Sequence, residues 1–195
     1  MAACMNHKLT RIAVFASGNG SNFQAIADAV QAGELQAEVA LVVTDKPQAV
    51  VVERAKKAGV ESFSFIPSEF DSKQLYEQMI KEKLEELEVE WVVLAGYMRL
   101  IGPVLLEAFE NRIVNIHPSV LPAFPGKDAI GQTMAAGAEN AGVTVHFVDA
   151  GMDTGKIISQ ESFPVAGRDR AAVEQKIHEI EHQLYPATLQ QLFSR

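Results

Sequence analysis

Cysteine is almost absent from this sequence. Its single cysteine, Cys4, lies in the polar N-terminal segment MAACMNHKLT. One thiol cannot form a disulfide framework, a CxxC redox pair or a thiolate metal cage within one chain. We therefore expect the protein to work in a reducing compartment, the cytoplasm.

Excess positive charge and long apolar runs are also missing. The 17 Lys and Arg residues are outnumbered by 25 Asp and Glu residues, which gives a formal net charge of −8. Broad nucleic-acid binding needs clustered cations, and a membrane helix needs about 20 consecutive apolar residues. We therefore expect small-molecule substrates, no nucleic-acid partner and no membrane partner.

What the sequence does contain is an alternation of short apolar runs and amphipathic stretches. Arg11–Ala16 has the pattern of a buried strand, and Asn22–Ala32 has that of a helix with one apolar face. Trp91–Leu94 is apolar on both faces, as a central parallel strand covered by helices must be. Repeated strand–helix units predict an α/β fold with a doubly wound, mostly parallel sheet and a Rossmann-like N-terminal half. We expect one domain over residues 1–195, with residues 1–10 as a flexible leader.

Some helix starts carry capping signals. Asp71 followed by Gln74 has the spacing of a capping box, at the start of a helix from about Ser72 to Leu87. Asp128 can cap a helix that runs to about Ala136. Both signals predict helices in the connections between strands.

Three polar segments directly follow predicted strands. They are Ser17–Asn22, Asn115–Gly126 and Asp149–Gly155. Ligands of doubly wound sheets bind beyond the carboxyl ends of the strands. We therefore expect the functional residues in these three segments.

The segment Ser17–Asn22 connects the first predicted strand to its helix. Two glycines permit unusual backbone angles, and Ser21, Asn22 and the free N–H groups of the helix start favour a phosphate. A dinucleotide fingerprint would require a third glycine where Phe23 stands. A tight turn with a capped helix is the alternative, but it needs fewer hydrogen-bonding side chains than this loop offers.

Asn115 and His117 lie two residues apart at the end of a predicted strand, so they point to the same face. An amide can donate to a carbonyl oxygen that gains negative charge, and an imidazole can donate to that oxygen or relay a proton near neutral pH. A structural histidine bonded to a backbone carbonyl is the alternative.

The loop Asp149–Gly155 carries two aspartates among glycines, a composition that is also typical of turns. If Asp153 lies near His117, its carboxylate would favour the imidazolium form of the ring. The sequence leaves both interpretations of this loop open.

The run HEIEH at residues 178–182 has the spacing of a metalloprotease zinc motif on a predicted helix. A third ligand is required, and the residues after His182 include no Asp, Glu, His or Cys. A solvated charged helix face is the simpler interpretation, and we expect no metal.

The run Ala95–Ile101 follows a central strand and mixes Gly, Met and Arg with apolar residues. This mixture suits a flat heteroaromatic ligand, with core packing as the alternative.

Five segments together resemble one enzyme family. FASGNGSN, LAGYMRLI, NIHPSVLPAFPG, VDAGMDTG and EHQLYP occur in the order, and close to the spacing, of the phosphoribosylglycinamide formyltransferases, the folate-dependent transformylases of purine synthesis. The resemblance covers residues 11 to about 190. N-I-H-P-S-x-L-P with a downstream D-x-G is specific to enzymes that use formyltetrahydrofolate, and S-G-N-G-S-N narrows the resemblance to this family.

The resemblance implies a formyltransferase-type fold and a set of site residues. Asn115, His117 and Asp153 match the catalytic trio of the family. The residues that match its ribonucleotide site, which holds the phosphate and the glycinamide end, are Gly20, Ser21, Asn22 and Glu181.

The resemblance also implies 10-formyltetrahydrofolate as co-substrate, without a metal. The residues that match the folate-binding wall are Met98, Arg99, Leu100, Ile101 and Asn115, together with the loop Val148–Asp153. Lys73 stands where the family often has an arginine for the folate tail, and Lys127–Asp128 departs from the histidine-containing loop of some members. The implied reaction is direct formyl transfer to the primary amine of 5′-phosphoribosylglycinamide through a tetrahedral intermediate, by a monomer or homodimer.

Two other functions use similar residues. A formyltetrahydrofolate hydrolase would replace the amine with water, but that family carries an additional N-terminal domain for which residues 1–10 are too few. A non-catalytic folate- or phosphosugar-binding module would have no use for a polar trio at the strand ends. We therefore expect a transferase.

Overall fold

The computed structural model describes residues 8–194, in which seven strands form one sheet flanked by six α-helices. The strands are β1 (Thr10–Phe15), β2 (Ala37–Thr44), β3 (Ser62–Ser64), β4 (Trp91–Leu94), β5 (Ile113–His117), β6 (Asn140–Phe147) and β7 (Ile157–Pro164). The α-helices are α1 (Ser21–Gln31), α2 (Val50–Lys57), α3 (Lys73–Glu86), α4 (Pro103–Ala108), α5 (Ala129–Ala135) and α6 (Arg170–Phe193). A short 3₁₀-helix spans Pro67–Glu69. None of the helices in residues 8–194 has the length and apolarity needed to cross a bilayer.

The expected leader falls largely outside the described residues. Residues 1–7, which include Cys4, belong to that part of the chain. Thr10 already pairs with β2 as the first residue of β1, so the strand begins inside the segment that was expected to be flexible.

The sheet has the strand order β3-β2-β1-β4-β5-β6-β7. The first five strands in this order are parallel, whereas β6 runs antiparallel to β5 and β7 antiparallel to β6. The predicted α/β fold with a doubly wound, mostly parallel sheet is confirmed. Because the chain winds outward from β1 in one direction and from β4 in the other, a crevice forms where the carboxyl ends of these two strands meet.

Helices cover both faces of the sheet, and the alternation of side chains along β1 shows why. Ile12 and Val14 pack into one apolar cluster with α1, α2 and α6, whereas Ala13 and Phe15 pack into the other with α3 and α4. All four side chains are fully buried. Successive strand residues point to opposite faces, so a strand between two helical layers must be apolar throughout.

Of the two predicted helix caps, one is confirmed and one is wrong. Asp128 caps α5 as expected, because its carboxylate accepts a hydrogen bond from Gly131 N at 3.3 Å. The prediction for α3 was wrong by one residue: Ser72, not Asp71, is the cap, and its Oγ accepts from Leu75 N at 3.3 Å. The cap must directly precede the first helical residue, and here that residue is Lys73.

A buried tyrosine fixes α6 against the ends of two central strands. The Tyr185 hydroxyl is 2.8 Å from Leu94 O and 3.2 Å from Val114 O. Its side chain is fully buried, so this hydroxyl has to find its partners inside the protein. The contact sets the position of α6, and therefore of Glu181 one helical turn earlier, relative to β4 and β5.

We predict that Tyr185→Phe destabilises the protein by about 1–2 kcal/mol, because the ring still packs while the hydrogen bond to the carbonyls is lost. Urea unfolding measures this as a lower midpoint with an unchanged slope. An unchanged midpoint would show that the hydroxyl does not hold α6.

Candidate active site

Strand β5 carries two polar side chains to the carboxyl edge of the sheet. Asn115 and His117 lie on the same face of the strand, two residues apart, and His117 is its last residue. The antiparallel strand β6 places His146 directly opposite Asn115, with Asn115 Nδ2 3.3 Å from His146 Nε2. His146 carries no local signal in the sequence, because strand pairing and register bring it to this edge.

Asp153 joins these side chains from the loop after β6. Its Oδ2 is 3.4 Å from His117 Nδ1, and its Oδ1 is 3.5 Å from Asn115 Nδ2 and 3.6 Å from His146 Nε2. Gly126 N donates to Oδ2 at 2.8 Å. One carboxylate therefore connects β5, β6 and the loop that follows β5.

These surroundings favour the charged form of Asp153. The pKa of its carboxyl falls from 3.8 to about 2, first because of hydrogen bonding by His146, with further contributions from Gly126 N–H and the positive charges of His117 and His146, while partial burial opposes the fall. Asp153 is thus ionised at neutral pH. His146 Nδ1 donates to Phe147 O at 2.7 Å, which fixes the orientation of the ring beside Asp153.

His117 is held at both ring nitrogens. Its Nε2 donates to Phe124 O at 2.9 Å, while Nδ1 faces Asp153. Phe124 has a φ of 56°, which a bulky side chain rarely adopts. His117 is 6% exposed, so the orientation of its ring depends on these two contacts. The bond to a backbone carbonyl, which the sequence analysis gave as the structural alternative for this histidine, therefore occurs together with the proximity to Asp153.

The two aspartates of the loop 149–155 have different surroundings: Asp149 bonds within the turn, and Asp153 lies at the site. Asp149 closes the turn, because its Oδ1 accepts from Gly151 N at 2.9 Å and from Thr154 Oγ1 at 2.6 Å. Asp153, at a φ of 55°, is directed to the site. The turn interpretation is right for Asp149, and the structure brings Asp153 to His117.

The loop before α1 has the shape of an anion site. Gly20 has a φ of 75°, and a Cβ atom there would lie 2.6 Å from Val51 Cγ2, so glycine is required on both counts. No side chain of the described residues caps the start of α1. The first N–H groups of a helix lack partners within the helix, so those of α1 can bind an anion beside Ser21 and Asn22.

An arginine supports this loop from α2. Arg54 Nε donates to Asn19 O, and Arg54 Nη2 donates to Asn19 Oδ1, each at 2.8 Å. Arg54 and Ser21 both line a groove of about 1010 Å³ between α1 and α6. Arg54 could not be assigned to this loop from the sequence, because it lies 35 residues after Asn19 and belongs to no motif.

The helix α6 contacts the start of α1 through Glu181. Its Oε2 accepts from Asn22 Nδ2 at 3.2 Å and lies 3.0 Å from His178 Nδ1. This contact raises the pKa of His178, because the nearby carboxylate favours the protonated ring. The structure therefore brings Glu181 together with Asn22, although 159 residues separate them.

The two histidines of the HEIEH run contact each other, and His178 also contacts Glu181. The rings of His178 and His182 stack with centroids 6.2 Å apart. Among residues 8–194, no group of three or more His, Cys, Asp or Glu side chains is placed to hold a metal ion.

The segment after β4 forms a partly exposed apolar wall. Met98 is 70% exposed and Leu100 51%. Ile101, which the resemblance also assigns to folate binding, lies in the core at 6% exposure. The Arg99 guanidinium is held by Asp45, with Nε 2.9 Å from Oδ2. The side chains that form this wall toward solvent are therefore those of Met98 and Leu100.

Lys73, assigned by the resemblance to the folate tail, lies at the start of α3. Its Nζ is 4.0 Å from Oε1 of Glu77, a buried carboxylate whose pKa is raised by burial. Glu77 accepts from Gly102 N at 2.6 Å, which connects α3 to the end of the Met98–Leu100 wall. The Lys73 side chain remains 38% exposed, so its ammonium can still meet an anion.

A doubly wound sheet with an amide, an imidazole and a carboxylate at its carboxyl edge is the architecture of a formyl transferase, and a model of the family described as "Formyl transferase" matches residues 10–189. The chain belongs to this family. It is 51% identical over 185 residues to the phosphoribosylglycinamide formyltransferase of Bacillus subtilis (strain 168), an alignment that covers 94% of this chain and 95% of that protein. Within the family, the chain thus belongs with the phosphoribosylglycinamide formyltransferases.

Solved structures give the same assignment. The glycinamide ribonucleotide transformylase 1 of Geobacillus kaustophilus is 55% identical and superposes with a TM-score of 0.93, over 95% of this chain and 99% of that one. The phosphoribosylglycinamide formyltransferase of Bacillus halodurans is 50% identical, also with a TM-score of 0.93, over 95% of this chain and 96% of that one.

We predict that Asp153 contributes about 2 kcal/mol of stability that is present above pH 4 and is lost as the pH falls toward 2, because its folded pKa lies below its ordinary value. Chemical denaturation of wild type and Asp153→Asn at successive pH values measures the contribution. The stability gap between the two proteins should shrink by this amount between pH 5 and pH 2. A gap that does not change with pH would contradict the assignment.

Proposed function

We propose that the chain transfers the formyl group of 10-formyltetrahydrofolate to the primary amine of 5′-phosphoribosylglycinamide, a step of purine synthesis, as a single cytoplasmic domain. The observation that carries this proposal is the contact of the Asp153 carboxylate with both Asn115 and His117 at the carboxyl edge of the sheet. The family membership of the chain supports the same reaction.

We propose that the ribonucleotide binds at the loop before α1. Its phosphate would accept hydrogen bonds from the backbone after Gly20 and from the side chains of Ser21 and Asn22. The positive charge of Arg54, which holds the preceding residue Asn19, adds to the attraction for the phosphate. Glu181, which contacts Asn22, would meet the glycinamide end of the same substrate.

The folate would bind on the other side of the reacting centre. The exposed side chains of Met98 and Leu100 offer the apolar contact that a flat pterin requires. Ile101 would support this wall from the core rather than touch the ligand. The Lys73 ammonium at the start of α3 would attract the carboxylates of the folate tail.

The trio would act on the formyl carbon between the two ligands. The amine forms a new C–N bond, and the carbonyl oxygen becomes an oxyanion that Asn115 Nδ2–H and a ring N–H of His117 stabilise. For His117 Nε2 to take this role, the substrate oxygen replaces Phe124 O as its acceptor. Collapse then breaks the bond to the folate nitrogen, and the proton lost by the amine reaches that nitrogen through water ordered by Asp153.

We predict that His117→Ala and Asp153→Asn each lower kcat by about 10²–10³-fold, since each removes or misplaces an oxyanion donor. The KM for the ribonucleotide should change far less, because its phosphate binds elsewhere. Steady-state kinetics of purified variants provides the measurement. Asp169→Asn, an exposed cap of α6 at which asparagine serves equally well, is the matched control. Wild-type kcat in either active-site variant would remove these roles.

We predict the opposite kinetic pattern for the loop before α1. Ser21→Ala and Asn22→Ala should raise the KM for the ribonucleotide about tenfold, since a hydrogen bond to a charged group is worth about 1.5–3 kcal/mol. The KM for the folate should stay near the wild-type value. An unchanged ribonucleotide KM would refute the phosphate site.

One assay tests the reaction itself. The purified chain is mixed with 10-formyltetrahydrofolate, with and without 5′-phosphoribosylglycinamide, and deformylation is followed. Deformylation that requires the ribonucleotide supports formyl transfer. Equal turnover in water alone would show a hydrolase, and binding without turnover would show a non-catalytic module; either result contradicts the proposal.

A further inference from the structure

A buried aspartate lies where the ribonucleotide loop and the apolar wall meet. Asp45 directly follows β2 and is 5% exposed. Its Oδ1 accepts from Ser17 Oγ at 2.6 Å, and its Oδ2 accepts from Arg99 Nε at 2.9 Å. Ser17 opens the loop after β1, and Arg99 belongs to the segment after β4, so one carboxylate holds both strand connections.

The directions of these hydrogen bonds are fixed. Met98 N can only donate, and it donates to Ser17 Oγ at 2.9 Å. The Ser17 hydroxyl hydrogen is then free to donate to Asp45 Oδ1. Arg99 Nε is also a donor without acceptor capacity. The result is a chain of directed bonds from Met98 through Ser17 to Asp45, with a second bond arriving from Arg99.

The backbone adds a further tie between the same two segments. Ser17 N donates to Gly96 O at 3.0 Å. The segment from Gly96 to Arg99 is therefore fixed by its first carbonyl, by Met98 N and by the Arg99 side chain. Between these points the Met98 side chain is directed outward and stays 70% exposed. An anchored backbone with an exposed apolar side chain forms a preorganised contact surface.

We propose that Asp45 is a positioning residue for the folate-binding wall: it fixes the backbone of Gly96–Arg99 against the ribonucleotide loop without touching either substrate. This proposal rests on the proposed function, which assigns the wall to the folate. Asp45 fixes the Arg99 side chain through its Nε. A carboxylate is required because it offers one acceptor oxygen to Ser17 and another to Arg99, whereas asparagine has only one.

Separate KM values for the two substrates test the proposal in the full-length protein. Asp45→Asn should raise the KM for 10-formyltetrahydrofolate about tenfold, because one charge-assisted hydrogen bond is lost. The KM for 5′-phosphoribosylglycinamide should change less than about twofold. Ser17→Ala, which removes the middle member of the chain of bonds, should act in the same direction. The double variant should have a KM for 10-formyltetrahydrofolate no higher than that of the more impaired single variant, since both changes break the same chain of hydrogen bonds.

Glu110→Gln is the control for loss of one negative charge. Glu110 is exposed and lies before the first residue of β5, at the amino ends of the parallel strands and away from the site. Its variant should keep both KM values. Thermal unfolding of each variant shows whether it is folded. If Asp45→Asn does not fold, Ser17→Ala carries the test alone.

Calorimetric titration with tetrahydrofolate repeats the test without turnover, so failure of the reaction and failure of this inference are distinguishable. A weaker tetrahydrofolate affinity in folded Asp45→Asn or Ser17→Ala supports the positioning role, whether or not the wild type transfers a formyl group. Unchanged folate affinity, or an equal loss for both ligands, would overturn the proposal and leave Asp45 with a purely structural role.

Discussion

The carboxylate of Asp153 is the contact on which the site depends. Asn115 Nδ2 and Gly126 N donate to it, from β5 and from the loop after β5, and His117 Nδ1 lies 3.4 Å from it, while Asp153 itself comes from the loop after β6. All three contact the Asp153 carboxylate, so it sets their positions relative to one another. Its low pKa keeps the carboxylate charged at neutral pH, so the amide and the imidazole lie side by side against one negative charge.

The topology of the sheet supplies the two proposed ligand surfaces around this carboxylate. Because β1 and β4 are neighbours with connections that leave in opposite directions, the loop before α1 and the wall after β4 end up on either side of one crevice. Asp45 and Ser17 bind these two surfaces to each other. Asn115, His117 and Asp153, in contrast, belong to β5 and to the loop after β6, so the proposed chemistry uses other strand ends than the proposed ligand surfaces.

Much of this arrangement could be predicted from the sequence, since it follows from local rules. The strand Trp91–Leu94 was predicted with its bounds, because four apolar residues leave a buried strand as the natural interpretation. The pairing of Asn115 and His117 followed from the two-residue period of a strand. His146 was missed because only the antiparallel register sets it opposite Asn115, and no local pattern encodes register.

A crystal structure with 5′-phosphoribosylglycinamide and a folate analogue whose formyl group cannot be transferred would test the central claim most directly. The account predicts the formyl oxygen at about 3 Å from both Asn115 Nδ2 and a ring nitrogen of His117, the distance an oxyanion donor requires. In that complex Asp153 should still contact His117, with the amine nitrogen facing the formyl carbon. A formyl group bound away from these side chains would contradict the account.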